Sequence, residues 1–373
     1  MDAKKWDEFF SEGGPKVHDD PVRFAKMAEL CRGKVLDVGC GTGSLADFFS
    51  GDYTGIDLSE TAIKMARETR REGALFVVRD IFHQLDLRRS YFDTIVMGEF
   101  LEHFKDANEV IKKVLPFLSP EGQLLISVPN FDRVPDADHI TIFTVPQIRR
   151  DFAKYGRVKF HTYPGFQERI IFSVQTGDYN RHDLALAMIL KNEEKGVETA
   201  VISCLDFVDE VVLSVDKGTT DGTLDVARLY ADELLIHTWE NSFCKARNFV
   251  QSKVSCDWVL SLDGHERVEK HDRIDEALKK GADAIMVELA WETGFKFYFP
   301  RVIKKEIQWE HDVHNSPMFK KEIELPGFII MHDRENLQAA EAVEIRDRQR
   351  DEMVRSIMSV SYTHLTLPTI YSV

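Results

Sequence analysis

The chain is 373 residues long, more than one ordinary hydrophobic core accommodates, so length alone suggests two domains. Hydrophobic residues make up 43% and charged residues 30%, and a net charge of -15 argues against nucleic acid or an anionic membrane as the main partner. No apolar run approaches the roughly 18 to 20 residues that span a bilayer, the opening MDAKKWDEFFSEGG lacks the apolar core of a signal peptide, and the cysteines are scattered without metal-site spacing. A cytoplasmic protein with no membrane span is expected.

From the N-terminus, short β-rich runs alternate with helical patterns, as βαβ units on a mostly parallel sheet do. Strands are predicted at KVLDVG (34–39), YTGID (53–57), ALFVVRD (74–80), FDTIVMG (92–98) and GQLLISVP (122–129), with helices over 59–71 and 106–118. VKFHTYPG and ERIIFSVQ read as an antiparallel pair closing that sheet. The polar stretch TGDYNRHD (176–183) marks a boundary, giving a first domain of 1–178 and a second of 182–345. Beyond it the alternation restarts with LALAMIL (184–190), EVVLSVD (210–216), ELLIHT (233–238) and WVLSLD (258–263), and later strands at AIMVEL and RVIKK.

In the first half, VLDVGCGTG (35–43) delivers Asp37 and then a turn with Gly39, Gly41 and Gly43, whose missing side chains let backbone approach a ligand. Asp57 ends the next strand, where a carboxylate can accept both ribose hydroxyls, and Asp80 ends the third, within reach of an adenine amino group. Three acids at consecutive strand ends converge on one crevice. These motifs, with GIDLSETAIKMAR, FDTIVMGEFLEHFKD and DHITIFTVPQI, resemble the class I S-adenosylmethionine-dependent methyltransferases, in their small-molecule branch with an LEH motif. The resemblance implies an α/β fold with a Rossmann-like seven-stranded sheet, and a cofactor held by Asp37, Gly39, Gly41, Gly43, Asp57, Asp80 and Glu99. Glu102, His103 and His139 are the candidate catalytic groups near the acceptor, although Glu102 and His103 also suit a helix start. Cys40 is expected to pack rather than react.

In the second half, MILKNEE ends a buried strand at Asn192 and Glu193, and VDKGTTDGT carries Asp216 and Asp221, the latter equally suited to capping a helix. SFCKARNFVQSKVSCDWVLSLDGHE (242–266) supplies Arg247, Asp263, His265 and Glu266. In this order the motifs resemble family 2 glycosyltransferases of the GT-A fold. The resemblance implies a nucleotide-sugar site at Asn192, Glu193, Asp216, Asp221, Arg247 and Asp263, and a divalent metal, Mn2+ or Mg2+, at Asp263, His265 and His314. Two departures stand out: His265 replaces the family's second aspartate, and Asn315 replaces the glutamate after His314. Imidazole suits softer ions than Mg2+, so His265 points to Mn2+ or to a degenerate site. Glu266 or Asp312 is the candidate acceptor base. Trp291, Phe295, Phe297 and Phe299 alternate at partial strand spacing and are expected to be core.

Val360–Thr369, VSYTHLTLPT, breaks an acidic helix-like run without capping it and resembles a translated sequencing adapter. Residues 360–373 are therefore read as an artefact tail on a truncated second domain. The whole sequence predicts a bifunctional enzyme: methyl transfer from S-adenosylmethionine to a small acceptor, such as a glycan, and sugar transfer from a UDP-sugar, in surface polysaccharide synthesis. The alternative is an active methyltransferase carrying a non-catalytic glycan- or nucleotide-sugar-binding domain. No nucleic acid partner is expected.

Overall fold

The computed structural model describes residues 3–12, 20–70, 72–83, 85–131, 136–176, 183–291, 294–312 and 316–332. His314, Asn315, the segment 333–345 and the tail 360–373 lie outside the described residues. The chain divides into two compact units, one centred on each of two large sheets.

The first unit opens with α1 (Ala3–Ser11) and α2 (Pro21–Leu30). Asp20 caps α2 by accepting from the Arg23 N–H, with Pro21 preset for the first turn. There follow β1 (Val35–Val38), β2 (Tyr53–Asp57), α3 (Glu60–Thr69), β3 (Leu75–Val78), β4 (Phe92–Gly98), α4 (Ala107–Val114), β5 (Leu118–Pro129), α5 (Val145–Phe152), β6 (Arg157–Phe160) and β7 (Arg169–Gln175). Ser59 and Asp106 cap α3 and α4. The predicted helix 106–118 ends early because Pro116 diverts the chain into a short 3-10 turn and Leu118 already begins β5. The seven strands lie in the order β3-β2-β1-β4-β5-β7-β6. β3, β2, β1, β4 and β5 pair in parallel, and β7 runs antiparallel to both β5 and β6, the closing pair read from the sequence. Val35, Leu36, Ile56, Ile95, Met97 and Leu124 are wholly buried, which is why these strands read as continuous apolar runs rather than alternating ones. Strand order reverses between β1 and β4, and it is at such a switch point that open parallel sheets bind ligands.

The second sheet uses β8 (Leu184–Leu190), β9 (Glu210–Asp216), β10 (Glu233–His237), β11 (Trp258–Leu262), β12 (Glu266–His271), β13 (Ala284–Trp291), β14 (Lys296–Lys304) and β17 (Glu322–His332), in the order β10-β9-β8-β11-β14-β13-β17-β12. A small two-stranded ribbon, β15 (Trp309–Glu310) with β16 (Ser316–Pro317), stands apart. The helices are α6 (Val197–Ile202), α7 (Thr223–Tyr230), α8 (Phe243–Gln251) and α9 (Ile274–Leu278). This sheet is less parallel than the alternation predicts: β11 with β14, β13 with β14 and β12 with β17 are antiparallel. β13 and β14 are joined by too short a link for a parallel crossover. β12 and the β15–β16 ribbon are unforeseen, and so is β17. Its register sets His332 opposite Glu266 of β12 on one side and opposite Trp291 of β13 on the other.

Candidate active sites

In the first unit β1 hands the chain to a turn in which Gly39, Gly41 and Gly43 have φ of 72°, 51° and 75°. A Cβ on Gly39 would stand 2.2 Å from the Phe100 ring, so that position accepts no side chain. At the end of β2 the Asp57 carboxylate accepts from the Gly41 N–H at 2.9 Å and the Ser59 N–H at 2.8 Å. About half of its roughly four lone-pair sites remain for a ligand. Beyond β3, Asp80 accepts from the Phe82 N–H at 2.9 Å and lies 2.8 Å from His83 Nδ1. Asp37, Gly39, Gly41, Asp57, Asp80, Glu99, Glu102, His103 and His139 all border one cavity of about 440 Å3. Gly43 does not; its Cβ would meet the Phe76 ring at 2.5 Å, a packing constraint.

Asp37 sits below the turn, buried, accepting from the Tyr53 hydroxyl. Burial pushes its carboxyl up to about 7; the Tyr53 hydrogen bond opposes this rise and the Asp57 charge adds to it. Burial likewise pushes the Cys40 thiol well up, away from a reactive thiolate.

Across the cavity, Glu99 adopts φ 52°, and its carboxylate accepts from Ser127 Oγ at 3.2 Å and Arg169 Nε at 3.1 Å. Arg23 of α2 donates to the same Ser127 oxygen at 3.0 Å. Glu102 is fully buried, and neither of its carboxylate oxygens has a hydrogen-bond partner among the described residues. Burial first, then the Glu99 charge, holds its carboxyl well above the usual range. His103 lies next to it, its basicity lowered chiefly by burial. Its Nδ1 lies 3.0 Å from the Asp138 carbonyl, and because a carbonyl only accepts, Nδ1 carries the proton and Nε2 the lone pair. The His139 ring is 5.4 Å from that of His103. The Ile140 and Thr141 N–H groups donate to the Glu102 carbonyl at 2.8 and 3.0 Å, pinning the His139 segment to the turn that carries Glu102. One potential ligand atom from each of Glu102, His103 and His139 falls within 4.8 Å of the others. α1 completes the wall with Trp6, Phe9 and Phe10, the Trp6 ring meeting His103 edge-on at 5.2 Å. Asp7 ties α1 down by accepting from Ser59 Oγ at 2.6 Å and the Thr61 N–H at 3.0 Å, and Lys5 pairs with Asp138.

In the second unit the nucleotide-sugar candidates gather around the ends of β8, β9 and β11. Asn192, at φ 54°, accepts from the Thr220 N–H at 2.8 Å, and the Glu193 N–H donates to Thr223 Oγ1 at 2.7 Å. Asp216 accepts from the Gly218 N–H at 2.6 Å with Lys191 Nζ 3.5 Å away. Asp221 accepts from the Thr223 N–H at 3.0 Å and the Glu194 N–H at 3.2 Å, which is local loop-closing work. Arg247 of α8 reaches Asp263 at 2.7 Å, and Arg301 stands 3.6 Å from the other oxygen. Burial alone would raise the Asp263 carboxyl, but Arg247, Arg301 and then His265 hold it far below the usual carboxylate range. Glu266 is buried, accepts from the Asp263 N–H at 2.9 Å, pairs with Arg301 and lies 3.0 Å from His332 Nε2. His265, Glu266 and His332 offer ligand atoms within 4.8 Å of one another. Asp312 lies at the start of α8, 3.4 Å from Cys244 Sγ. Of the aromatic residues expected as core, Phe299 packs against the core of the second unit, whereas Phe295 is 62% and Phe297 39% exposed, and Trp291 stacks between Phe297 and His332, 4.2 Å from the imidazole.

A family model described as a methyltransferase domain matches residues 32–195, and one described as glycosyl transferase family 2 matches residues 186–336. The ubiquinone biosynthesis O-methyltransferase of Thiobacillus denitrificans is 32% identical over 168 residues, 41% of this chain and 72% of its own. The chain belongs to the methyltransferases over its first half and to glycosyl transferase family 2 over its second. The corresponding enzyme of Pseudomonas syringae pv. tomato is 31% identical, over 42% of this chain and 73% of its own. Across such curated relatives the chain spans between 57 and 73% of their length. Among solved structures, the putative methyltransferase of Haloferax volcanii in complex with the Trm112 activator covers 47% of this chain and 98% of its own at 16% identity, with a TM-score of 0.39.

The protein is therefore an enzyme, a methyltransferase dependent on S-adenosylmethionine, with a glycosyltransferase domain. The methyltransferase cavity fits that cofactor: a floor of glycine backbone with no room for side chains at Gly39, and a carboxylate at Asp57 with acceptor capacity to spare. The glycosyltransferase domain fits a divalent cation only in part. His265 Nδ1 is buried with no hydrogen-bond partner among the described residues, as an open ligand would be, but Asp263 is neutralised by two guanidinium groups. Arg23, Arg169, Arg301, Trp6 and His332 take part in these sites and were not foreseen. The signal for Arg169 and Arg301 was a lone arginine in an apolar strand, where a charge persists only if paired.

Proposed function

We propose that the chain is bifunctional: it methylates a hydroxyl-bearing acceptor, a glycan or a phenol-type small molecule, and transfers a sugar from a UDP-sugar, as steps in surface polysaccharide synthesis. The observation that carries the methyl-transfer half is that one cavity holds both the glycine turn with Asp57 and the Glu102, His103 and His139 group. S-adenosylmethionine supplies an electrophilic methyl on a sulfonium. The turn at Gly39 and Gly41 binds it along the backbone, Asp57 takes the ribose hydroxyls and Asp80 the adenine amino group, with Asp37 and Gly43 shaping the turn from beneath. Glu99, fixed by Arg169 and Ser127, lines the boundary between cofactor and acceptor. Glu102, His103 and His139 orient the acceptor, and the Nε2 lone pair of His103 is placed to take its proton. The relatives named for ubiquinone biosynthesis support a ring acceptor, as do the aromatic walls at Trp6, Phe9 and Phe10.

For the second domain, Asn192, Glu193, Asp216 and Asp221 form the nucleoside end and Arg247 faces the diphosphate. A divalent ion there would be held by His265 with Asp263 and His314, and would neutralise the leaving diphosphate. Glu266, or else Asp312, is the acceptor base. A second reading, a non-catalytic sugar-nucleotide binder, is favoured by the Arg247 and Arg301 pairs at Asp263. Calorimetric titration of UDP into the protein, with Mn2+ and then with EDTA, separates them. Binding that needs Mn2+ and disappears in Asp263→Ala supports transfer; metal-indifferent binding supports the binder; no UDP binding in protein that still binds S-adenosylmethionine removes both.

A further inference from the structure

We propose that His237, Asp216 and Lys191 form a donor–acceptor–donor row that reads the imide edge of uracil, and that His237 is the residue by which the second domain chooses UDP-sugars over CDP-sugars. The inference rests on the sugar-nucleotide reading and deepens it, by naming what selects the base.

Four observations carry it. First, His237 ends β10, Asp216 ends β9 and Lys191 directly follows β8, and these strands are neighbours in that order, so the row follows the order of the sheet. Second, Asp216 is buried, and its Oδ2 has no hydrogen-bond partner among the described residues, whereas buried carboxylate oxygens are ordinarily met by a donor. Its other oxygen accepts from the Gly218 N–H at 2.6 Å, with Lys191 Nζ 3.5 Å away. Third, His237 Nε2 stops 4.0 Å from Oδ2, too far for a hydrogen bond, so imidazole and carboxylate stand side by side without satisfying each other. Nδ1 lies 2.8 Å from Ser214 Oγ. Burial keeps the imidazole neutral near pH 7, and the Asp216 charge beside Nε2 favours the proton there. The Ser214 hydroxyl then donates to Nδ1, and Nε2–H is the donor left for a ligand. Fourth, Gly218 leaves the row uncovered: a Cβ there would stand 2.8 Å from Asp216 Oδ1 and 3.7 Å from Lys191 Nζ.

Uracil presents O4, N3–H and O2 along one edge, an acceptor, a donor and an acceptor. Against it the row sets the His237 Nε2–H, the Asp216 carboxylate and the Lys191 ammonium, and every group is matched. Cytosine presents an amine, a bare ring nitrogen and a carbonyl. Its bare nitrogen faces the carboxylate, and its amine faces a donor whichever way round the base lies, so two of three contacts turn repulsive. A site built on hydrogen bonds rejects the base that leaves them unmade far more strongly than shape alone would. His237 discriminates more sharply than Lys191, because its side chain is buried and fixed by Ser214 while that of Lys191 is more than half exposed.

The test is calorimetric titration of the full chain, at saturating Mn2+, with UDP, CDP and 3-methyl-UDP, which lacks only the imide proton. UDP is expected to bind about 100-fold more tightly than either of the others. His237→Phe, which keeps a flat ring and removes the donor, should weaken UDP about 10-fold and leave CDP within about threefold, the retained CDP binding showing that the domain is folded. His237→Gln, which returns an amide N–H near the Nε2 position, should restore most of the preference. Lys191→Met should cost a smaller, several-fold loss of UDP affinity. Equal affinity for UDP and CDP in the unmutated chain, a UDP-to-CDP ratio unchanged by His237→Phe, or 3-methyl-UDP binding as tightly as UDP would overturn the row. Should His237→Phe bind neither nucleotide, 3-methyl-UDP on the unmutated chain and Lys191→Met still decide. If the unmutated chain binds S-adenosylmethionine but none of the three nucleotides, the sugar-nucleotide reading itself falls.

Discussion

Asp57 shows how much one carboxylate does here. It closes the glycine turn through the Gly41 N–H and accepts from the N–H of Ser59, the residue that caps α3, and the lone pairs left over face the cavity. Asp57→Ala should weaken S-adenosylmethionine binding by at least about 10-fold in calorimetry, because both the ligand contact and the shape of the turn are lost. Asp37, beneath it, makes a different prediction. Its carboxyl titrates near 7 in the fold, against 3.8 for a free side chain, so folding favours the protonated form. That stabilisation is complete below about pH 4 and is lost as pH rises through about 7. Melting temperature should therefore fall by several degrees more between pH 5 and 8 in the natural protein than in Asp37→Asn, which keeps an acceptor for Tyr53. Equal slopes in the two proteins would mean that Asp37 is ionised throughout.

At the scale of elements, the decisive piece is α1, and it is also the one that sequence reading passed over. Its role depends on contacts far along the chain: Asp7 to Ser59 and Thr61, Trp6 to His103. Asp7→Ala should loosen the helix, weakening S-adenosylmethionine binding several-fold and exposing the N-terminal segment to limited proteolysis, with the rest of the domain intact. The parallel strands, by contrast, were legible, because a strand buried on both faces announces itself as an unbroken apolar run. The glycine turn was legible too, since few other sequences tolerate three left-handed positions so close together. What the sequence hid were side-chain partners fixed by strand register. Arg169 with Glu99, and His332 with Glu266, join residues whose meeting depends on which strands are neighbours, and local pattern carries no trace of that. Gly43 illustrates the converse: it reads as part of the ligand turn and packs against Phe76 instead.

For the whole molecule, the two chemistries should be lost separately. Asp263→Ala should abolish Mn2+-dependent UDP binding and leave S-adenosylmethionine binding within about twofold, and Asp57→Ala should do the reverse. His265→Asp offers a sharper test of the second domain. If His265 is a serviceable ligand, restoring the acid should preserve or raise Mn2+-dependent UDP affinity; in a pure binder it should change nothing.

The transverse row Glu266, His332, Trp291 has a practical corollary. Each residue comes from a different strand, and side chains alternate faces along a strand, so a slip of β17 by one residue would turn His332 away and present Met331 to the Glu266 carboxylate. Strand content would be unchanged. A refolded preparation could thus give a native circular dichroism spectrum while this row was scrambled, and quality control for the second domain belongs with ligand titration rather than spectroscopy.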